Sequence, residues 1–464
     1  MMKKYNNAII IICAAITLQS CFVAKDYEKP EMDTEGLYRT EEVLDSTSIG
    51  MLSWKELFTD EKLQSYIHEG LQNNLDMQIA LQNIASAEAN LKQGKAGYLP
   101  SLSLKANWTH QELSKNSQFG SFFNGALDQY EFSGNLSWEA DIWGKIRSTE
   151  RMALASFLQT HAAKNAVQTE LVAQTASLYY QMLATDEQIK VVRSTLKNRI
   201  ESIEVIKALK EAGNVNEVAV KQTEAQRYDT EIILKDLEYN LKVMENSFNV
   251  LLNRKPEVVE KGNFNNQNIS AEIKAGLPAI MLANRPDVVS AELNFRRTFE
   301  QVNVARSNFY PSLTITASGG LQSLELKDWF NTKSLFANIV TGLTQPIFNN
   351  RQIKTAYEVA QANQQIAYLQ YEKSLLTAGQ EVSDALATYE NETEKLGIRA
   401  KQVDALNKAA EYSDELLQYG MVNYLEVLTA KDNALSTEIN LITTKYNQLN
   451  AVISLYRALG GGQN

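Results

Sequence analysis

The stretch Tyr98-Leu99-Pro100-Ser101-Leu102-Ser103-Leu104 returns 211 residues later as Phe309-Tyr310-Pro311-Ser312-Leu313-Thr314-Ile315. Residues 73–76 return at the same offset as residues 284–287. Arrays of small repeats have periods of roughly 20–50 residues, so this offset indicates one half-structure that is duplicated within a single chain. We expect each half to contain a helix, two strands and a longer helical hairpin, in that order.

Both copies of this stretch lead into residues that alternate between apolar and polar. The alternation covers residues 101–108 and 130–138 in the first half, and 312–321 and 337–343 in the second. A period of two predicts strands with one apolar face, and runs of about ten residues match a tilted transmembrane strand. A soluble sheet would alternate in the same way, but the chain offers no other core for four such strands to cover. We therefore predict membrane strands.

Long helices are predicted where Gly and Pro are absent, which is the case for residues 145–212, 214–255 and 421–459. At 1.5 Å per residue, the first of these helices would be roughly 100 Å long. From 171 to 206, eleven positions are spaced alternately by four and three residues, and eight of them are Leu, Met, Ile or Val. This period of 3.5 predicts coiled-coil packing against a neighbouring helix. The three exceptions are Thr175, Thr185 and Arg199.

Two glycines mark the ends of such helices. Gly213 and Gly420 can adopt the left-handed conformation that ends a helix and allows a tight reversal. We predict that the chain returns through 218–252 after the first reversal and through 425–459 after the second. Two antiparallel helical hairpins result, and Gly213 and Gly420 mark their tips.

The N-terminus has the features of a targeting segment. Lys3 and Lys4 precede a short apolar run, which is typical of a signal peptide covering residues 1–20. Leu18-Gln19-Ser20-Cys21 resembles the bacterial lipobox, in which the cysteine is lipidated and becomes the first mature residue. A plain secretory signal is the alternative. Because the only other cysteine, Cys13, lies in the signal, the mature chain has no internal disulfide.

The remaining chain divides into a lipid-anchored tether (21–50), a first repeat (51–254), a linker (255–277) and a second repeat (278–464). Without Lys3 and Lys4, the mature chain carries 43 basic and 55 acidic residues, a net charge of −12. This balance argues against nucleic acid as a partner. The three histidines, His68, His110 and His161, are isolated, and no catalytic motif is present. We therefore predict a protein that is not an enzyme and has no cofactor besides the covalent lipid.

Four strands cannot close a barrel, and open sheet edges are not tolerated in lipid. Several chains must therefore pool their strands. The side chains of an eight-stranded barrel fill its interior, so a channel needs more than eight strands.

The chain resembles the TolC-type outer-membrane efflux factors, in the NodT-like lipoprotein branch that serves RND-type tripartite pumps. The resemblance covers essentially the whole mature chain. Each of its motifs is weak alone, and the resemblance rests on their order and spacing. The motifs are Asp26-Tyr27-Glu28-Lys29-Pro30 after the lipobox, the stretches around Pro100 and Pro311, Trp138-Glu139-Ala140-Asp141-Ile142-Trp143-Gly144-Lys145, Asn284-Arg285-Pro286-Asp287-Val288, Leu343-Thr344-Gln345-Pro346-Ile347-Phe348, residues 420–428, and Ala458-Leu459-Gly460-Gly461-Gly462.

This resemblance implies a mainly α-helical chain with a membrane β-barrel: a homotrimer whose 12-stranded barrel, four strands per chain, is continued by a 12-helix coiled-coil tunnel. It implies a lipid-anchored outer-membrane protein with a long periplasmic part, a periplasmic adaptor and an inner-membrane RND-type pump. The expected function is the passive exit of small toxic compounds from pump and adaptor to the exterior. Open alternatives are a type I secretion channel, a metal-ion efflux channel and, outside exporters, a structural coiled-coil lipoprotein.

The resemblance also places a gate at the periplasmic tip, beside the two glycine reversals. In related channels a Leu, and an Asp one turn further on, constrict the bore. Leu425 matches the Leu, whereas Thr429 stands where the Asp is expected. Asp432 lies where relatives often carry Arg, and Glu426 is a further acidic candidate. The acidic ring is therefore shifted or missing, and ordinary solvated charges are the alternative interpretation of Glu426 and Asp432.

Overall fold

The computed structural model describes residues 23–39, 48–118, 120–121, 126–267 and 284–462. The predicted signal peptide and Cys21 lie outside the described residues. The helices in chain order are α1 (Trp54–Leu57), α2 (Glu61–Asn73), α3 (Leu75–Ala96), α4 (Lys145–Glu211), α5 (Glu217–Leu251), α6 (Pro286–Ser307), α7 (Gln352–Gln418) and α8 (Tyr424–Ala458). The strands are β1 (Ser101–Glu112), β2 (Ala126–Ala140), β3 (Ser312–Ser323) and β4 (Leu335–Thr344).

The chain divides into two compact units. Of the described residues, the strand unit comprises those within 23–31, 84–159 and 291–371, and the hairpin unit comprises those within 32–83, 160–290 and 372–462. Each unit draws segments from both predicted repeats, because the sheet contains strands of both halves and the helical layer contains hairpins of both halves.

The strand unit contains one antiparallel sheet with the order β1-β2-β3-β4, so β1 and β4 are its edges. In the register, Leu102 lies opposite Leu136 and Trp138 lies opposite Ile315. The predicted alternation is present, and its apolar side chains are uncovered: Leu104 is 73% exposed and Ile339 is 74% exposed. The described part of the chain therefore provides no core for the apolar face of this sheet.

The junction between β2 and α4 explains part of the Trp138–Lys145 motif. The Asp141 carboxylate accepts hydrogen bonds from the backbone N–H groups of Ile146 at 2.8 Å and Arg147 at 3.0 Å, which satisfies two free donors at the start of α4. Gly144 turns the chain with a φ of +77°, and a Cβ there would lie 2.8 Å from the Cβ of Ala24. The motif thus makes a tight strand-to-helix connection.

In the same unit, the described N-terminal segment (residues 23–31) is packed along α6. The side-chain amide of Asn303 forms two hydrogen bonds with the backbone of Lys25: it accepts from the N–H at 3.1 Å and donates to the carbonyl at 2.9 Å. Tyr27 makes edge contacts with Phe295 and Phe299, with ring centroids 5.9 and 5.6 Å apart. The segment is therefore an ordered part of the strand unit.

The hairpin unit is a layer of helices in the order α5-α4-α8-α7. Side chains on α4 reach α5 on one side and α8 on the other, and α8 reaches α7. These contacts are Arg193 with Glu238 at 2.8 Å, Ser177 with Asn450 at 2.6 Å, and Gln448 with Thr393 at 2.8 Å. The predicted coiled-coil positions of α4 face this layer, and even the polar exceptions Thr175, Thr185 and Arg199 are buried.

The core of the hairpin unit is rich in aromatic residues. Its largest fully buried side chains are Tyr179, Tyr180, Tyr456, Phe58, Phe248 and Phe264. The described part of the predicted linker packs on this core. The hydroxyl of Tyr179 accepts a hydrogen bond from the Gly262 N–H at 2.9 Å and donates to Asp60 at 3.1 Å, and Lys261 pairs with Glu245 at 2.6 Å.

In the first helical segment, Gly70 interrupts the helical spacing and predicts a break between two helices, and the structure differs from this prediction. Gly70 lies inside α2, and the break falls at Asn74. The Asn74 side chain accepts a hydrogen bond from the Met77 N–H at 3.1 Å and donates to the Leu251 carbonyl at 2.9 Å, so it caps α3 and ties it to the core. None of the described helices is both long and apolar enough to cross a membrane.

Candidate gate at the hairpin tips

The first hairpin reverses at Gly213 in a well-formed helix C-cap. Gly213 has a φ of +79°, and the Asn214 N–H bonds the Leu209 carbonyl at 2.9 Å. This six-to-one bond, together with the bond from Gly213 N–H to the Lys210 carbonyl at 2.9 Å, defines a Schellman motif. The side chain of Asn216 then caps α5.

The second hairpin repeats this geometry. Gly420 has a φ of +68°, and the Met421 N–H bonds the Leu416 carbonyl at 3.0 Å. The Asn423 side chain caps α8 by accepting from the Glu426 N–H at 3.0 Å and donates to the Glu426 carboxylate at 2.8 Å. Both reversals fall where the glycines predicted them.

Next to the reversals, apolar residues of both hairpins form a small cluster. Its buried members are Ile206, Ala219, Val220, Tyr424 and Leu428. The hydroxyl groups of Thr223 and Tyr424 are hydrogen-bonded to each other, so α5 and α8 are joined by a polar contact as well as by packing. Burial raises the pKa of Tyr424 above its ordinary value.

One turn above this cluster, Asp432 on α8 is held from two helices of the first hairpin. Arg199 on α4 donates to one carboxylate oxygen, and Gln226 on α5 donates to the other at 2.6 Å. Arg199 also donates to the Gln226 backbone carbonyl at 2.8 Å. Because Arg199 is only 7% exposed, its charge depends on this network for compensation.

The other gate candidates are solvent-exposed on the first turns of α8. Leu425 is 58% exposed. The Thr429 hydroxyl donates to the Leu425 carbonyl at 2.8 Å, and Glu426 is engaged by the Asn423 cap. Leu425, Thr429 and Asp432 share one face of α8, since they are spaced by four and three residues. Asp432 is the member of this face whose carboxylate is bound within the helical layer.

A groove of about 690 Å³ lies above the tips of the two hairpins. All four helices contribute to its walls, which include Arg199, Leu209, Leu417 and Tyr424. In the part of the chain that the structure describes, no group of His, Cys, Asp and Glu residues is arranged to hold a metal ion.

The fold and these motifs can be compared with known proteins. A sequence model described as outer membrane efflux protein matches residues 66–254 and 277–461. The chain belongs to the outer membrane efflux protein family. Among the relatives in this family, the solvent efflux pump outer membrane protein SrpC of Pseudomonas putida is 28% identical, and the alignment covers 97% of each chain.

Solved structures of the family agree with the fold. The crystal structure of CusC is 25% identical, has a TM-score of 0.84 and covers 94% of this chain and 99% of its own. The outer-membrane channel OprN, at 21% identity, has a TM-score of 0.87 and covers 96% of this chain and 100% of its own, which shows a shared fold. The predicted fold class, a trimeric β-barrel with four strands per chain continued by a helical barrel, is confirmed.

The predicted family, the function as outer-membrane channel of a tripartite efflux system, and the partners are confirmed as well. As an outer membrane efflux protein, the chain is a subunit of a homotrimeric outer-membrane channel. This channel works with a periplasmic adaptor and an inner-membrane RND-type pump, and its helical part is periplasmic. The members of the family are channels and not enzymes.

Sequence reasoning named Asp432 but missed its partners Arg199 and Gln226. A signal for Arg199 was present, because it is the one charged residue among the eleven coiled-coil positions of α4. A cation at such a position needs a buried partner. Nothing in the sequence indicated which of the 55 acidic residues supplies it.

Proposed function

We propose that this channel is closed at its periplasmic end by a ring of Leu425 side chains, with Thr429 as a neutral second ring. The observation that carries the proposal is the binding of both Asp432 oxygens by Arg199 and Gln226. This network places the acidic group of the α8 face in the helical layer and leaves Leu425 exposed on the first turn. Glu426 belongs to the cap of α8, and the tips at Gly213 and Gly420 bound the gate.

The chain contributes no chemistry of its own in this proposal. Compounds delivered by the pump and adaptor pass through the opened tip and leave passively. The cargo is a set of small toxic compounds, as the similarity to a solvent efflux protein over 97% of the chain suggests. Metal ions are the second candidate cargo, because the Escherichia coli K12 protein named cation efflux system protein CusC is 26% identical over 98% of this chain.

The anchor is a further part of the proposal. Signal cleavage after Ser20 and lipidation of Cys21 attach the mature chain to the outer membrane. Mass spectrometry of the purified N-terminal peptide tests this directly. The expected result is an acylated Cys21 peptide, and an unmodified Cys21 at the N-terminus or a cut at another site would contradict it.

The gate is tested by single-channel conductance in planar bilayers. Leu425→Ser should raise the conductance of the resting channel severalfold, because a smaller and more polar ring admits water. Met421→Ser is the matched control, since Met421 is also an exposed apolar residue at the same tip, 72% exposed. Equal conductance of Leu425→Ser and the wild type, in protein that still forms trimers, would reject the placement of the ring at Leu425.

A further inference from the structure

The sheet of the strand unit has a polar face opposite its apolar face. On β1 this polar face carries the odd-numbered residues from Ser101 to Gln111, and the register aligns them with the odd-numbered residues of β2. The even-numbered residues of β3 and β4 continue the same face. In the trimeric barrel the apolar face meets lipid, so the polar face lines the water-filled interior, which we call the lumen.

Charged side chains are rare on the polar face. Among the described residues of the four strands, this face carries Lys105 on β1, Glu131 and Glu139 on β2, and otherwise neutral residues. Glu139 is compensated within the chain, because its carboxylate accepts hydrogen bonds from the Lys145 ammonium at 3.0 and 3.1 Å. Lys105 and Glu131 are therefore the uncompensated charges that each copy contributes to the lumen wall.

Neutral groups hold Lys105 and Glu131 in place. The Ser133 hydroxyl donates to the Glu131 carboxylate at 2.7 Å, and the Lys105 ammonium lies 2.7 Å from the side-chain amide of Asn107. Lys105 is opposite Ser133 in the register. Lys105 and Glu131 are thus diagonal neighbours on adjacent strands, with Cα atoms about 7–8 Å apart. Both charges act at nearly the same depth of the lumen.

The dimensions of the barrel allow these charges to act on a compound in transit. Twelve strands about 4.8 Å apart and tilted by about 40° place the wall about 12 Å from the axis. Salt screens a charge over about 10 Å at 0.1 M ionic strength. Because the screening length is comparable to the radius, the fields of charges on the wall reach the middle of the lumen.

We propose that Lys105 and Glu131 are the residues that set the charge preference of the exit through the outer membrane. In the trimer they form a belt of three positive and three negative charges, which we call the lumen belt. The polar face of β4 adds no charge to it. The two sets of fields largely cancel at the axis, so compounds of either charge leave with little electrostatic hindrance. The belt does not depend on the proposed gate, since both residues lie in the strand unit.

Reversal potentials of the full-length trimer in planar bilayers test the lumen belt. Three unit charges about 12 Å from the axis, screened over about 10 Å, change the local ratio of cations to anions about threefold. Lys105→Gln should therefore raise the permeability ratio of potassium to chloride about threefold at 0.1 M salt, and Glu131→Gln should lower it by a similar factor. The double variant should return close to the wild-type ratio. All variants share one periplasmic end, so their differences report on the lumen.

Glu112→Gln is the matched control. Glu112 is even-numbered and lies on the other face of β1, so its replacement changes the net charge as Glu131→Gln does but leaves the lumen wall unchanged. Ionic strength provides a second control. At 1 M salt the screening length falls to about 3 Å, and the differences between variants should disappear. A distorted barrel would keep its altered ratio at 1 M.

Thiol labelling checks the orientation independently. In trimers embedded in liposomes, Lys105→Cys should react with a water-soluble maleimide, whereas Ala106→Cys, its neighbour on the apolar face, should stay unreactive. The parent protein gives the background. Opposite shifts of the two single variants and recovery in the double variant support the proposal. It is overturned if Lys105→Cys is protected from the reagent, or if the single variants shift the ratio in the same direction or no further than Glu112→Gln does.

Discussion

Arg199 of the first hairpin is ion-paired with Asp432 of the second, across 233 residues of sequence. The Arg199 side chain is 8% exposed and that of Asp432 is 45% exposed, so the pair lies between the interior of the helical layer and its surface. It joins α4 to α8 just above the tips. Gln226 extends the contact to α5, so three helices share one carboxylate. The pair is therefore a candidate latch that holds the tip in its present arrangement.

Breaking the latch should destabilise the tip and open the channel. Asp432→Asn removes the negative charge that compensates buried Arg199. This should lower the free energy of unfolding by about 1.5–3 kcal/mol, the range for hydrogen bonds to charged groups. We expect higher resting conductance and a lower temperature of trimer dissociation. In the double variant Arg199→Gln/Asp432→Asn, much of this loss should be recovered, because no uncompensated charge remains.

The control for the latch is Asp414→Asn. Asp414 also pairs across two helices, with Lys431 at 2.7 Å, but both partners belong to the second hairpin. It should leave the resting conductance near the wild-type value. If both single variants raised conductance equally, the contact between hairpins would have no special role.

Replacing the glycine of a hairpin reversal with alanine should destabilise the protein, whereas the same replacement of a glycine inside a helix should stabilise it. A Cβ at Gly420 would meet nothing within 4 Å, so only its φ of +68° opposes a side chain. Gly420→Ala should therefore cost roughly 1–2 kcal/mol. Gly397 also has free space, but it lies within α7, where alanine should stabilise by about 0.5–1 kcal/mol. Chemical denaturation of the two variants checks the opposite signs, and the same sign in both would contradict the argument.

The contact between Asn303 and Lys25 should protect the N-terminal segment from proteolysis. Asn303 is 1% exposed and forms both hydrogen bonds to the Lys25 backbone. Asn303→Ala removes these two hydrogen bonds, and each loss should lower the stability of the packed N-terminal segment by about 1 kcal/mol. We expect faster tryptic cleavage after Lys25, with the rates measured by mass spectrometry. Asn294→Ala, at a residue that contacts Arg297 on the same helix, should leave these rates unchanged.

The stability of the hairpin unit should contain an acid-sensitive contribution from Asp287. Burial raises the pKa of Asp287, but hydrogen bonds from Arg285 outweigh it, and the net pKa lies below its ordinary value. A depressed pKa stabilises the folded state above the unfolded pKa of about 3.9, and this contribution is lost as the pH falls through the folded pKa.

Asp287→Asn should therefore lower the thermal midpoint at pH 7, and the difference from wild type should shrink below about pH 4. Measurement of thermal midpoints between pH 3 and 7 checks this sign. A difference that stayed constant over the whole range would show that the charge of Asp287 contributes nothing.

The sequence predicted the elements because each has a local cause. Alternation predicted the strands, the absence of Gly and Pro predicted three of the four hairpin helices, α4, α5 and α8, and Gly213 and Gly420 predicted the reversals. The prediction of a break at Gly70 was wrong. A glycine inside a helix and a glycine at its end differ only in whether a capping residue lies beside them. Here Asn74 provides the cap and Gly70 does not.

The partners of the candidate gate could not be predicted in this way. A period of 3.5 shows which side of α4 is buried but not which helix covers it. The pairing of Arg199 with Asp432 depends on α8 lying beside α4, and this order exists only after both hairpins have folded and packed. The sequence by itself therefore determined the duplicated halves, the strands, the long helices and their reversals, because each depends on residues near in sequence. Only the tertiary structure decided the order α5-α4-α8-α7 and the latch, because each depends on which surfaces meet.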